Sequence, residues 1–259
     1  MSRGLAVVTG ATAGIGREFA EQLGARGYDL LLVARDRQRL AATADALAAA
    51  HGVTAEAFPA DLSRDEDVTR LAERLAASPR LTLLVNNAGF GLKGRLAEAD
   101  IERQEAMLRL HVLAPMRLTR AALPVLIANR RGGVINVSSV AGFIYSAGNV
   151  NYCATKAYLT TFSEGLAAEL QGTGVRAQAL CPGFTRTEFH ARMPGPLERH
   201  PRFLWLSART VVAYSLRCLE RGGPVVCVPG FRWRLLVGAI GLMPRSLIGR
   251  VTRRRYSRV

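Results

Sequence analysis

Short apolar runs rich in β-branched residues alternate with longer alanine-rich and polar stretches along most of the chain. Residues 5–9 (LAVVT), 29–34 (DLLLVA), 54–58, 81–85, 134–137, 176–180 and 225–228 read as strands. The first is apolar without polar alternation, as expected of a parallel strand buried on both faces. Helical patterns are predicted over 17–26, 36–50, 64–77, 100–128 and 207–221, and one starts ahead of Lys156 and runs to about 171. The 36–50 pattern is alanine-rich and favourable by propensity, with Asp36 placed to cap it. Residues 184–205 are rich in Pro, Arg and aromatics with no clear period, which is how a lid or binding loop reads.

Polar residues at the junctions carry the candidate chemistry. Strand 5–9 leads into TGATAGIG, with Gly10, Gly14 and Gly16. Glycines here allow a tight turn and the approach of a pyrophosphate to a helix N-terminus. A glycine turn without ligand is the plain alternative. Strand 29–34 is followed by Arg35, where NAD-selective folds place an acid for the ribose 2′-hydroxyl. A guanidinium there suits a 2′-phosphate, so NADP is the expected cofactor. Further on, Tyr152 and Lys156 stand four residues apart, on one face of a helix. A nearby ammonium lowers a phenol's pKa and makes Tyr152 a usable acid or base. Ser139, at the end of strand 134–137, can hydrogen-bond a carbonyl oxygen that Tyr152 protonates.

The strand-end serine, the Y-x-x-x-K pair and the G-x-x-x-G-x-G turn together resemble the short-chain dehydrogenase/reductase family, over residues 5–230. The resemblance implies a Rossmann-type α/β fold, a doubly wound parallel sheet of about seven strands with helices on both faces. Residues 1–230 would form the NADP-binding domain, and 231–259 a basic, apolar extension of it. Carried over residue by residue, Ser139 polarises the carbonyl, Tyr152 donates the proton, and Lys156 lowers the tyrosine pKa and holds the nicotinamide ribose with Tyr152. Gly10, Thr12, Gly14, Ile15 and Gly16 form the dinucleotide turn, and Arg35 meets the adenosine ribose. Asp61 and Leu62 meet the adenine, although Asp61 also reads as a helix cap near Ser63. Asn87, Ala88 and Gly89 of the NNAG segment line the adenosine side; Pro182, Gly183 and Thr187 lie by the nicotinamide. His111 stands where the family has a relay asparagine. It reads equally as a packed histidine or as a replacement relay member, since imidazole both donates and accepts.

Composition adds partners and limits. Four cysteines without C-x-x-C or histidine spacing predict reduced thiols, no metal site and a cytoplasmic protein. No basic-then-apolar leader precedes the strand at Leu5, so no secretory signal is expected. The formal net charge is +15; residues from Phe231 onward hold eight Arg and no acid. No nucleic-acid motif accompanies that charge. The tail reads two ways. It is a basic amphipathic segment in peripheral contact with an anionic membrane, or a helix folded over the substrate cleft or into a subunit interface. The expected activity is transfer of a hydride between nicotinamide and a carbonyl or secondary alcohol of a lipophilic small molecule, in a homodimer or homotetramer. A non-catalytic NADP-binding sensor or scaffold is the alternative.

Overall fold

The computed structural model describes residues 2–188, 201–244 and 246. Seven strands form one parallel sheet: β1 (Leu5–Thr9), β2 (Asp29–Ala34), β3 (Ala55–Pro59), β4 (Leu81–Asn86), β5 (Gly133–Val137), β6 (Arg176–Leu180) and a seventh at Val226–Cys227. In space they run β3-β2-β1-β4-β5-β6 and then Val226–Cys227 at the edge. The predicted strands were therefore placed to within one or two residues, and the last is shortened to two. A separate two-stranded ribbon pairs β7 (Thr185–Arg186) with β8 (Leu206–Ser207), so Val226–Cys227 is β9.

Helices α1 (Gly14–Gly24), α2 (Arg37–His51) and α7 (Ala208–Arg221) accompany one face of the sheet. On the other lie α3 (Asp65–Ala76), α5 (Ala114–Ala128) and α6 (Val150–Glu169). Two layers explain why the strands lack polar alternation. Ala6 and Val8 enter one core while Val7 enters the other, and Leu30 and Leu32 oppose Leu31 and Val33 in the same way. Burying one such side chain is worth about 1.5–3 kcal/mol. Asp36 caps α2 as predicted, accepting from the Arg39 amide at 2.9 Å.

The helix predicted over 100–128 is not continuous. It divides into α4 (Ile101–Leu108), a π-helical turn at Arg109–Leu113, and α5. Pro115 has no amide N–H to return to the carbonyl of residue 111, so the α-helical ladder loses a rung where the wider turn forms. By length and composition, residues 101–128 could cross a membrane. Here Met107, Leu118, Ala122 and Leu126 along this run are buried in the domain.

Candidate active site

All the sequence-selected junctions lie at the carboxyl ends of the strands. The order reverses between β1, which continues to β2 and β3, and β4, which continues to β5 and β6. Open α/β sheets bind ligands in the crevice at such a switch point. Gly10 and Gly14 adopt positive φ (67° and 54°), where other residues are strained. A Cβ on Gly16 would stand 2.2 Å from the Gly10 carbonyl oxygen and 2.3 Å from Asn87 Nδ2, so only glycine lets α1 approach the turn. The first helical residue is Gly14, not Arg17, so the glycine turn runs directly into the helix. That helix has no side-chain cap and no acid in its first turn, which leaves its positive end uncompensated. This is the setting a pyrophosphate fits. Thr12 and Ile15 lie in this turn, with Ile15 packed on the core below.

Thr9, a residue the sequence reading missed, ties the two sides of the crevice. Its Oγ1 accepts from the Asn87 and Ala88 amides, each at 2.9 Å. Asn87 Nδ2 donates to the Thr9 carbonyl at 2.8 Å. Ala88 is partly buried beside this junction, and Gly89 is exposed. Arg35 is exposed, with Nη1 3.9 Å from Asp61 Oδ2. Asp61 Oδ1 accepts from the amide and hydroxyl of Ser63 at 3.0 and 2.7 Å. This is a side-chain turn ahead of α3, which begins at Asp65, and not a cap of that helix. Leu62 is buried.

Across the crevice, Ser139 leaves β5 and opens a single 3₁₀ turn, Val140–Phe143, with Oγ accepting from the Ala141 amide at 3.1 Å. The turn lies directly on α6. A Cβ on Gly142 would be 2.8 Å from the Lys156 carbonyl carbon, so a side chain there would separate the serine from the Tyr–Lys helix. Ser138 reinforces the contact by donating to the Lys156 carbonyl at 2.6 Å. As a result Ser139 hydrogen-bonds the Tyr152 phenol. Lys156 is buried, its Nζ 5.6 Å from the Tyr152 ring centre and donating to the Val137 carbonyl at 2.9 Å.

The electrostatics differ from expectation at one point. The net shift of Tyr152 is upward, because burial outweighs what favours the phenolate. Burial pushes Tyr152 up to about 12, against the lowering effect of the Ser139 hydrogen bond. The same loss of hydration acts on Lys156, whose pKa drops to about 8. The phenol is therefore held protonated, as a proton donor requires.

His111 is buried in the π-turn. Its Nε2 accepts from the Phe90 amide at 3.1 Å. An amide can only donate, so the ring proton sits on Nδ1, which lies 3.1 Å from Thr155 Oγ1. Thr155 in turn donates to the Tyr152 carbonyl at 2.9 Å. Both nitrogens are thus engaged, and burial, followed by the charge of Lys156, lowers its pKa well below the usual histidine range. Thr155 was missed in the sequence, although it lies one turn beyond Tyr152.

Pro182, Gly183 and Thr187, expected beside the nicotinamide, line the crevice next to the Ser139 turn and the glycine turn. The Val140 amide donates to the Pro182 carbonyl at 3.1 Å and joins this loop to the Ser139 turn. Thr187 packs on Gly14, whose added Cβ would lie 3.0 Å from the threonine Cβ. A Cβ on Gly183 would meet Trp233 at 2.0 Å. Trp233 belongs to α8 (Phe231–Leu242), was not singled out for the site, and is buried with Nε1 donating to the Leu204 carbonyl at 2.9 Å. Residues 189–200, within the predicted lid, lie outside the described residues. Among the described residues, no group of three or more His, Cys, Asp or Glu could hold a metal.

The chain matches the short chain dehydrogenase family over residues 4–195. It is 39% identical over 174 residues to the very-long-chain 3-oxoacyl-CoA reductase of Coprinopsis cinerea, covering 66% of this chain and 51% of the relative. The short-chain dehydrogenase from Sphingobium yanoikuyae in complex with NADPH superposes with a TM-score of 0.84 at 35% identity, covering 91% of this chain and 93% of that one. The bulky-bulky ketone specific alcohol dehydrogenase of Comamonas testosteroni follows at 0.80 and 29%, with 95% and 96% covered. With its seven-stranded parallel sheet, its glycine turn and its Ser139–Tyr152–Lys156 cluster, the chain belongs to the short-chain dehydrogenase family of oxidoreductases, which act on CH–OH and C=O groups.

Proposed function

We propose that the protein is an NADP-dependent reductase of a lipophilic ketone, or an oxidoreductase of the corresponding secondary alcohol. The observation that carries this reading is the buried Tyr152 phenol, hydrogen-bonded to Ser139 and one helical turn from the buried Lys156. Gly10, Thr12, Gly14, Ile15 and Gly16 would hold the pyrophosphate. Asp61, Leu62, Asn87, Ala88 and Gly89 would line the adenosine, Arg35 would meet the 2′-phosphate, and Pro182, Gly183 and Thr187 would flank the nicotinamide. The cofactor, when bound, supplies or accepts the hydride.

Ser139 orients the carbonyl by donating to its oxygen. Tyr152 gives its phenolic proton to that oxygen as negative charge develops there. The Lys156 ammonium stabilises the phenolate left behind and, with Tyr152, would hold the ribose. In the reverse direction the same phenolate removes the alcohol proton. His111 acts as a neutral tie between the Phe90 loop and the turn that bears Tyr152, and not as a proton carrier.

A lipophilic substrate is supported by exposed Leu96 and Val150, which flank the small, mainly polar niche at Tyr152. The relatives acting on very-long-chain acyl groups and bulky ketones point the same way. A homodimer or homotetramer in the cytoplasm completes the reading. It is supported by exposed Ile101, Leu108, Leu113 and Met116 on the α4–α5 side. The extension from 231 is part of the same domain in this reading, since Trp233 is buried against it. The test is NADPH oxidation across a panel of ketones from short aliphatic to steroid-sized. Turnover rising with substrate hydrophobicity is expected. No NADPH binding, or no NADPH oxidation with any ketone of the panel, would overturn the assignment.

A further inference from the structure

Helix α8 is apolar nearly all round, FRWRLLVGAIGL, yet only one narrow stripe of it packs. Trp233 is buried, and Val237 and Ile240, four and seven residues on, are half-buried beside it. The outer surface carries Phe231 (65% exposed), Leu235 (59%), Leu236 (43%) and Leu242 (89%). The two charges of the helix do not interrupt this surface. Arg232 donates to the Phe203 carbonyl at 3.2 Å and Arg234 to the Tyr214 hydroxyl at 2.8 Å, which draws both guanidinium groups to the flanks. Helices that are hydrophobic on every side normally have something on every side.

We propose that this outer face of α8 docks on the surface of an anionic lipid membrane. Charge selects that occupant. Residues 231–259 carry eight Arg and no acid. A second copy meeting this face about a two-fold axis would bring Arg232 and Arg234 of both copies toward one another, a like-charge contact that disfavours association. The face is also small, about 18 Å long for a helix of this length, and at about 10 Å wide falls well short of the ~800 Å² per partner of a stable interface. The border of an anionic bilayer meets both requirements. Leu235 and Leu242 enter the acyl boundary, and the flanking arginines meet headgroup phosphates.

Trp233 packs against Gly183 and Phe184, and Val237 joins the cluster that includes Val140 and Phe143. The packed stripe of α8 thus lies beside the turn that Ser139 opens, and the docked face is on the opposite side of the same helix. Delivery of a bilayer-dissolved ketone to that site rests on the reductase reading above, whereas the docking itself does not.

The test is co-sedimentation of the full chain with phosphatidylcholine vesicles, with and without about 30% phosphatidylserine, at about 0.05 M and about 0.5 M salt. Sedimentation with the anionic vesicles at low salt and release at high salt are expected. Pure phosphatidylcholine should leave the protein in the supernatant. The double variant L235E/L242E should partition about tenfold more weakly or worse, with NADPH binding and melting temperature unchanged. The single Leu242→Ser, at the most exposed position, serves if the double variant unfolds. Full-length protein that stays in solution with anionic vesicles at low salt overturns the proposal. So does equal binding of L235E/L242E, which would assign the contact to the arginine-rich tail alone. A fall in solution mass of L235E/L242E, with no vesicle binding by the wild type, would make the face an interface between copies and equally overturn it.

Discussion

Replacing His111 by Phe separates a structural tie from a proton carrier. The imidazole accepts from the Phe90 amide at 3.1 Å and faces Thr155 Oγ1 at the same distance, inside a buried turn. A phenyl ring fills similar space and makes neither bond. It orphans one amide donor and one hydroxyl acceptor, although Thr155 keeps its bond to the Tyr152 carbonyl. Leaving a buried polar group unsatisfied costs about 1–3 kcal/mol, and with Thr155, which keeps one bond, at the low end of that range the two together cost about 2–4 kcal/mol. A chain of this size melts about 2–4 °C lower per kcal/mol, which predicts a fall of roughly 5–15 °C. His111→Gln, whose amide can accept from Phe90 and donate to Thr155, should recover much of that loss.

The pH signature adds a second readout. The histidine pKa is lowered in the folded state, so below about 6.5 the unfolded chain takes up a proton that the folded one refuses. His111 therefore subtracts stability as pH falls through that value, and His111→Gln should flatten the decline. The assays are thermal unfolding from pH 5 to 8 and kcat/KM across the same range. An unchanged melting temperature in His111→Phe would refute the tie. Loss in His111→Gln of a catalytic limb present in the wild type would restore the relay.

Tyr152→Phe should lower turnover by about two to four decades, the contribution of a positioned general acid, while NADPH titration remains near wild type; activity within a few-fold of wild type would remove the tyrosine from its role. Lys156, with its pKa lowered to about 8, should give reductive kcat/KM a falling limb above that pH as the ammonium is lost. Tyr152 stays protonated to about 12 and adds no limb below it; a profile flat to pH 10 would contradict the assignment. Arg35→Asp should weaken NADPH binding by about tenfold to a hundredfold, toward the lower figure because the guanidinium is exposed, and should leave NADH binding far less affected. Equal wild-type dissociation constants for the two cofactors would refute the 2′-phosphate role.

The sequence by itself determined the alternation of strand and helix and the residues at the strand ends. Those signals are local: an apolar run needs burial on both faces, a glycine permits a positive φ, and a tyrosine and lysine four apart share a helix face. Asp36 was legible as a cap for the same reason. Tertiary packing decided what local signals do not carry. The break at Arg109–Leu113 depends on Pro115 together with partners for His111 contributed by the Phe90 loop and by α6. The proximity of Ser139 to Tyr152 depends on Gly142 lying against the Lys156 backbone. The pKa order reversed because spacing along a helix reports a neighbour's charge but not the dehydration of the site. The outer face of α8 became visible only once Trp233 and Val237 were seen to pack, since a helix apolar nearly all round does not reveal from its sequence which side finds a partner.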